Sequence, residues 1–243
     1  MQDTLSKIIE EGEQIVFFGG AGVSTESGIP DFRSEEGLFR ARTIYGRTPE
    51  QLLSHDFFIQ NPEMFFRYYK ENLIYPDASP NAAHLALAAL EKQRKIHSVI
   101  TQNIDGLHQR ADSKNVVELH GSVQRNYCTD CKKHYPLSYV LSPDRHSSSV
   151  PLCTECGGIV RPNVTLYGES LDDGVLNTAI DDIANADVLI VGGTSLVVYP
   201  AAGLIRYFKG NHLVLINRDT TPYDKDATLV IHDSIGKVLG VFI

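Results

Sequence analysis

Cys128-Thr129-Asp130-Cys131 and Cys153-Thr154-Glu155-Cys156 gather all four cysteines of the chain into two Cys-x-x-Cys pairs, with 21 residues between them. That spacing is close to a zinc ribbon, whose four thiolates saturate a tetrahedral Zn²⁺ and leave no open position for water or substrate. A redox dithiol and unligated thiols are the other readings of such pairs, and His120 and His134 are near enough in sequence to ligate a catalytic ion instead. A structural Zn²⁺ held by Cys128, Cys131, Cys153 and Cys156 is the expectation.

A second group of residues suits phosphates. Gly20-Ala21-Gly22 follows the apolar run Gln14–Phe18, so backbone N–H groups can approach a pyrophosphate there. Thr25 stands where the dinucleotide pattern has its third glycine. Gly192-Gly193-Thr194-Ser195 follows the run Asp187–Val191, and Asn217 ends Leu213–Ile216, where its amide can reach ribose hydroxyls. One glycine turn serves structure as readily as phosphate; two such loops with a terminal asparagine favour a nucleotide. His120 ends the run Val116–Leu119 and begins a glycine turn. Taken alone, a histidine there is more often structural than a general base. Neither Gly-x-Ser-x-Gly nor His-Glu-x-x-His occurs, nor does Gly-x-x-x-x-Gly-Lys followed by Ser or Thr. The common hydrolase, zinc-protease and P-loop devices are therefore absent.

The elements that must position these residues are short, continuous apolar runs separated by helical stretches. Gln14–Phe18, Ser98–Thr101, Val116–Leu119, Asp187–Val191, Leu213–Ile216 and Thr228–Ile231 do not alternate, as expected of a parallel sheet covered by helices on both faces. Each ends in small or polar residues, where open α/β sheets bind ligands. Helices are predicted over Asn81–Lys95 and Thr178–Ala186. Residues about 41–80 form an aromatic helical insert punctuated by Pro49, Pro62, Pro76 and Pro80, and residues about 127–158 form a cysteine-bearing insert. The remainder, about 1–40, 81–126 and 159–243, is assigned to the sheet. A length of 243 residues fits one such unit with inserts. Hydrophobic residues at 42% and charged residues at 21% exclude a wholly disordered chain, and a net charge of −8 provides no basic field for nucleic acid. Basic protein tails remain compatible partners. There is no basic and apolar leader at Met1–Leu5, and no apolar run approaches the roughly 20 residues of a membrane helix. A cytoplasmic protein without membrane or nucleic-acid partners is expected.

In family order, Gly20 through Arg33 (GAGVSTESGIPDFR), Thr101 through His108 (TQNIDGLH), Glu118-Leu119-His120-Gly121, both cysteine pairs and Gly193-Thr194-Ser195-Leu196 resemble the sirtuins, NAD-dependent protein deacylases. Arg161 through Glu169 resembles the family's Pro-Asp-…-Phe-Gly-Glu block, with Asn163 for Asp and Tyr167 for Phe. The resemblance implies an inverted Rossmann-type sheet domain, with NAD lying between it and a smaller domain made of the helical and zinc inserts. It implies that Ala21, Thr25, Phe32 and Arg33 line the pyrophosphate and ribose region, and that Gln102 contacts ribose. Asn103, Ile104 and Asp105 would form the nicotinamide pocket, and Thr194, Ser195, Asn217 and Asp233–Ile235 would hold the adenosine half, with contacts from Asp233 and Ile235. Substrate contacts would come from Val164, Tyr167, Gly168, Glu169 and Val197. By the same resemblance NAD is consumed. The acyl-lysine carbonyl oxygen attacks the ribose as nicotinamide leaves, aided by Asn103 and Asp105. His120 acts as general base on a ribose hydroxyl, giving deacylated lysine and O-acyl-ADP-ribose. A silent NAD- or ADP-ribose-binding module, a mono-ADP-ribosyltransferase and a zinc or redox sensor are the alternatives. A monomer is expected. Acyl preference is expected from a Tyr-x-x-Arg pair that binds acidic acyl groups in some sirtuins. Here either Tyr68 and Glu71 or Phe66 and Tyr69 would take its two positions, and both lack the arginine.

Overall fold

The computed structural model describes residues 1–31, 34–142 and 150–243. Phe32 and Arg33, assigned above to dinucleotide contacts, lie outside the described residues. The described strands are β1 (Ile15–Gly19), β2 (Ile96–Thr101), β3 (Val116–Glu118), β4 (Gly121–Cys128), β5 (His134–Pro136), β6 (Val160–Val164), β7 (Val188–Gly192), β8 (His212–Ile216) and β9 (Leu229–Ile231). The helices are α1 (Gln2–Glu11), α2 (Glu35–Tyr45), α3 (Pro49–Leu52), α4 (His55–Gln60), α5 (Pro62–Asn72), α6 (Ala82–Lys92), α7 (Leu107–Arg110), α8 (Leu137–Leu141), α9 (Asp173–Asn185) and α10 (Ile235–Leu239). No helix among the described residues is long and apolar enough to cross a membrane.

Six strands pair in parallel in the order β3-β2-β1-β7-β8-β9, a Rossmann-like sheet. Successive residues of β1 feed opposite layers. Phe17 packs with Leu5, Ile8, Leu87 and Leu90 of α1 and α6, and Phe18 packs with Ala179 and Ile183 of α9. This two-sided burial is why the strand is apolar at every position. The register levels the strand ends: Gly19 pairs with Thr101 and with Gly192, Gly192 with Ile216, Ile216 with Ile231, and Thr101 with Glu118. The residues that follow each strand therefore share one crest. β1 and β7 are neighbours whose chains leave in opposite directions along the sheet, so the crevice at a topological switch point opens above them.

Helix α9 begins five residues earlier than predicted because the Asp172 carboxylate accepts the Val175 N–H at 3.0 Å and caps it. Helix α6 stops short of Lys95, where Arg94 turns into the left-handed region at φ 61°. The helical insert is a chain of short capped helices. Thr48 and Gln51 form a capping box, Ser54 accepts the Phe57 N–H, and Pro49 and Pro62 occupy first-turn positions. Its aromatic rings pack edge to face, Phe58 on Phe65 at 5.0 Å and Phe65 on Phe66 at 5.4 Å. They share one cluster with Val123, Cys128, Tyr135 and Val160 of the small antiparallel sheet β5-β4-β6.

Beneath the crest, His84 and His108 are buried with ring centroids 4.7 Å apart. His84 Nδ1 accepts the Asn81 N–H, while its Nε2 and both nitrogens of His108 lack a partner among the described residues. Burial pulls His84 down to about 4, and burial together with the charge of His84 pulls His108 down to about 3. Both are neutral in the folded protein at pH 5, whereas the unfolded chain protonates near 6.5. Stability is thus expected to be full above pH 6.5 and to fall as pH drops toward 4, by about 2 kcal/mol per histidine at pH 5. Urea unfolding at pH 7 and pH 5 measures this. His108→Leu should flatten the dependence, and equal stability of the native chain at both pH values would contradict it.

Candidate active site

Two glycine loops meet backbone to backbone at the switch point. Gly22 donates its N–H to the Gly193 carbonyl at 2.8 Å, and a Cβ on Gly22 would stand 2.7 Å from Gly193 Cα. Gly193 itself has φ +58° and a Cβ there would collide with Val23 N, so this contact requires glycine on both sides. The result is a glycine-backbone cradle at the ends of β1 and β7, edged by the Thr194 side chain, at the crevice where open α/β sheets bind ligands. Gln102, just after β2, donates its N–H to the Gly19 carbonyl at 3.0 Å and its Nε2 to Thr194 Oγ1 at 3.2 Å.

On one side of that cradle lies a cavity of about 210 Å³. Ala21, Gln102, Asn103, Ile104, Asp105 and His120 line it from the sheet, and Val164, Tyr167, Gly168 and Glu169 line it from the loop after β6. Thr25, Thr194, Ser195, Asn217, Asp233 and Ile235 do not line the cavity. Asn217 Nδ2 donates to the Asp219 carbonyl at 2.8 Å, and the Asp233 carboxylate accepts the Ser234 N–H at 2.8 Å and pairs with Lys237. Ile235 packs its side chain into the core below Gly192. Val197 is 59% exposed beside Val198, which lines the cavity in its place.

Ser24, which sequence reasoning passed over, is the hub of the cavity floor. Its hydroxyl donates to Asp105 Oδ2 at 2.7 Å and accepts Asn103 Nδ2 at 3.0 Å, and Asn103 Nδ2 also donates to the Gly20 carbonyl at 3.0 Å. Asp105 Oδ1 accepts the Leu107 N–H at 2.8 Å. Burial pushes the Asp105 carboxyl above its ordinary value, against the Leu107 N–H, the Ser24 hydroxyl and the Arg110 charge. A buried carboxylate with unused lone pairs suits an amide N–H donor.

His120 Nδ1 lies 2.9 Å from the Gln102 carbonyl. A carbonyl only accepts, so the neutral ring carries its proton on Nδ1 and its lone pair on Nε2. The His120 backbone is fixed as well, since its carbonyl accepts the Thr165 N–H at 3.0 Å. Gly121 follows at φ +76°, where a Cβ would collide with the Asn163 carbonyl.

Glu169 is held rather than offered. Arg161 donates to it at 2.6 and 3.0 Å, the Leu166 N–H at 2.8 Å, and His55 Nδ1 lies 2.8 Å away. Burial opposes its charge, but these donors outweigh burial and hold the carboxyl at about 2. Glu169 thereby ties the loop bearing Tyr167 and Gly168 to β6 and to α4. The helical insert adds two backbone bonds, His55 N–H to the Tyr167 carbonyl and Tyr167 N–H to the Leu53 carbonyl.

Both registers expected for the acyl-reading pair are displaced. Glu71 is on the outer face of α5 with Tyr45 and Arg67, and Phe66 and Tyr68 are packed in the aromatic cluster. Tyr69, Asn72 and Leu73 line the cavity, at i, i+3 and i+4 of one helical face. No arginine stands among its described lining residues, and the Lys70 ammonium is over the Phe66 ring at 5.8 Å.

The four cysteine Sγ atoms lie within 4.8 Å of one another. Tetrahedral ligands at about 2.3 Å from Zn²⁺ stand about 3.8 Å apart, so the group fits that ion without rearrangement. Neither His120 nor His134 belongs to the group.

The chain matches the model of the Sir2 family over residues 20–200. It is 62% identical over 237 residues to an NAD-dependent protein deacetylase of Clostridium perfringens, covering 97% of this chain and 96% of that one. A protein of the same name from Clostridium acetobutylicum is 59% identical over 235 residues, with 97% and 95% covered. Among solved structures, a Sir2 with a p53 peptide and NAD⁺ superimposes with a TM-score of 0.87 at 41% identity, covering 98% of this chain and 95% of that one. A Sir2Tm bound to a propionylated peptide gives 0.86 at 42%, with the same coverage.

Proposed function

The chain belongs to the Sir2 family, and from that premise we propose that it is an NAD-dependent protein-lysine deacetylase, which transfers the acyl group of acyl-lysine to ADP-ribose and releases nicotinamide. The observation that carries the proposal is the joining of a glycine-backbone cradle at the switch point to a cavity holding Asp105, Asn103 and His120. Bound NAD supplies the ribose carbon and the nicotinamide leaving group. The chain's part is to hold, orient and exclude water. Asp105, kept in place by Ser24 and Leu107, accepts from the carboxamide, and Asn103 and Ile104 shape the same pocket. Gln102, Thr25, Thr194, Ser195 and Asn217 take the ribose and phosphate groups. His120 Nε2 receives a proton from a ribose hydroxyl, and the Gln102 carbonyl stabilises the imidazolium through Nδ1–H. Val164, Tyr167 and Gly168 meet the peptide, and the thiolates of Cys128, Cys131, Cys153 and Cys156 hold Zn²⁺ away from the chemistry. In the same reading residues 1–243 are one catalytic core that works as a cytoplasmic monomer on acyl-lysine proteins, without nucleic-acid or membrane partners. Mixing the protein with NAD and an acetyl-lysine peptide should release nicotinamide and O-acetyl-ADP-ribose in equal amounts. No nicotinamide release would indicate a binding module, and an ADP-ribosylated protein a transferase.

The Tyr69, Asn72 and Leu73 face also predicts which acyl group is removed. A succinyl carboxylate would be desolvated against Tyr69, Asn72 and Leu73, a helix face with no arginine. kcat/KM for an acetyl-lysine peptide should exceed that for succinyl-lysine on the same backbone at least about tenfold, or ~1.4 kcal/mol. Equal or reversed preference would overturn the neutral-cavity reading.

A further inference from the structure

We infer that Glu26 is a positioning residue that couples the two halves of the dinucleotide site, an inference that rests on the NAD site proposed above. Glu26 lies in the turn after Ala21–Val23, so it belongs to the loop that forms the cradle with Gly193. Its Oε2 accepts the Gly236 N–H at 2.7 Å, across 210 residues of chain. Gly236 is in the first turn of α10, immediately after the stretch assigned to adenosine. That turn is fitted tightly from both sides. A Cβ on Gly192 would meet Ile235 Cδ1, and a Cβ on Gly236 would meet the Glu26 carboxylate. Helix α10 is therefore seated between the two glycine loops, with Ile235 packed under one and Glu26 bonded from the other.

A carboxylate on a backbone N–H at a helix start is a charge-assisted bond of favourable polarity. Glu26 thus sets the distance between the phosphate cradle and the Asp233–Ile235 stretch without contacting the reacting atoms. It does not line the cavity that holds Asp105 and His120. Loss of the bond loosens the adenosine half and leaves the acyl cavity as it was.

Steady-state kinetics and calorimetry with ADP-ribose test this. Glu26→Ala should raise the KM for NAD and the Kd for ADP-ribose about tenfold, the usual scale for a lost charge-assisted bond, with kcat and peptide KM within about twofold. Gly236→Ala, which places a methyl against the carboxylate, should reproduce that pattern. Glu26→Gln, whose amide oxygen accepts the same N–H without the charge, should fall between native and Glu26→Ala, whereas a role of charge alone would leave it as impaired as alanine. An unchanged NAD KM in Glu26→Ala, or an equal rise in peptide KM, overturns the coupling. A native chain that binds no ADP-ribose overturns the dinucleotide site itself, and the coupling with it.

Discussion

Replacement of His120 by alanine is expected to cut turnover about 10²–10⁴-fold, the range for a lost general base, and to leave the fold and NAD binding close to native. The structure separates these effects. The ring makes its bond to the Gln102 carbonyl through Nδ1, while the turn is held by the backbone bond to Thr165 and by the glycine at 121. Alanine removes the ring and keeps the backbone bonds. The cradle at Gly22 and Gly193 does not include His120, so dinucleotide affinity should survive. His120→Tyr should be equally inactive, since a phenol with an ordinary pKa near 10 is a poor proton acceptor at neutral pH. The measurement is kcat at saturating NAD and acetyl-lysine peptide, with calorimetric NAD binding and thermal unfolding on the same samples. Turnover within about threefold of native would leave His120 as a strand-end residue with no chemical role, well outside the range expected of a base.

The sheet and its crest were legible because its central strands β1 and β7 are buried at every position. Phe17 and Phe18 had to be apolar together, and the small residues after each run had to accumulate where the register levels the strand ends. The cysteine spacing was equally direct, since two Cys-x-x-Cys knuckles 21 residues apart match a zinc ribbon. The contacts between elements were not legible. Ser24 reads as one residue of a glycine-rich loop until the fold brings Asp105, 81 positions away, to 2.7 Å. Glu169 lines the cavity, but the Arg161 and His55 bonds that converge on it depend on β6 and α4 meeting and could not be read from its position in the chain. The acyl-reading face of α5 was misregistered for a related reason. A helix with Phe65, Phe66, Tyr68 and Tyr69 is aromatic around much of its circumference, so periodicity does not say which side meets the cavity. The cysteine insert, read as 127–158, leaves out most of β4 and all of β6, which pair in the same small sheet as β5, because neither strand differs in composition from its neighbours.

Metal removal is expected to be as damaging to activity as the loss of His120, but through folding. Cys128 closes β4 and is fully buried, and Cys153 is 5% exposed; both belong to the cluster formed with Phe57, Phe58 and Tyr135. Tyr135 anchors the second knuckle with its hydroxyl 3.1 Å from Cys153 Sγ and 3.0 Å from the Thr154 N–H. Four thiolates within 4.8 Å repel one another unless a cation lies among them, so the bare group must protonate or spread. Spreading would pull Cys128 and Cys153 out of the aromatic cluster. The same cluster supports Tyr69 at the cavity wall and Val164 at its rim, so damage should reach the site without any change in the residues that bind NAD. Structural Zn²⁺ in small modules contributes about 10–16 kcal/mol at neutral pH, enough to decide whether such an insert folds. The native protein should therefore carry about one zinc per chain, as a closed four-thiolate site requires. Cys153→Ser, or a strong chelator, should lower thermal stability, expose the segment between Cys128 and Val160 to proteolysis and abolish deacetylation. ADP-ribose affinity should fall less than activity, because the cradle belongs to the other sheet. A metal-free chain that resists proteolysis and keeps full activity would show that the cysteines hold no structural ion.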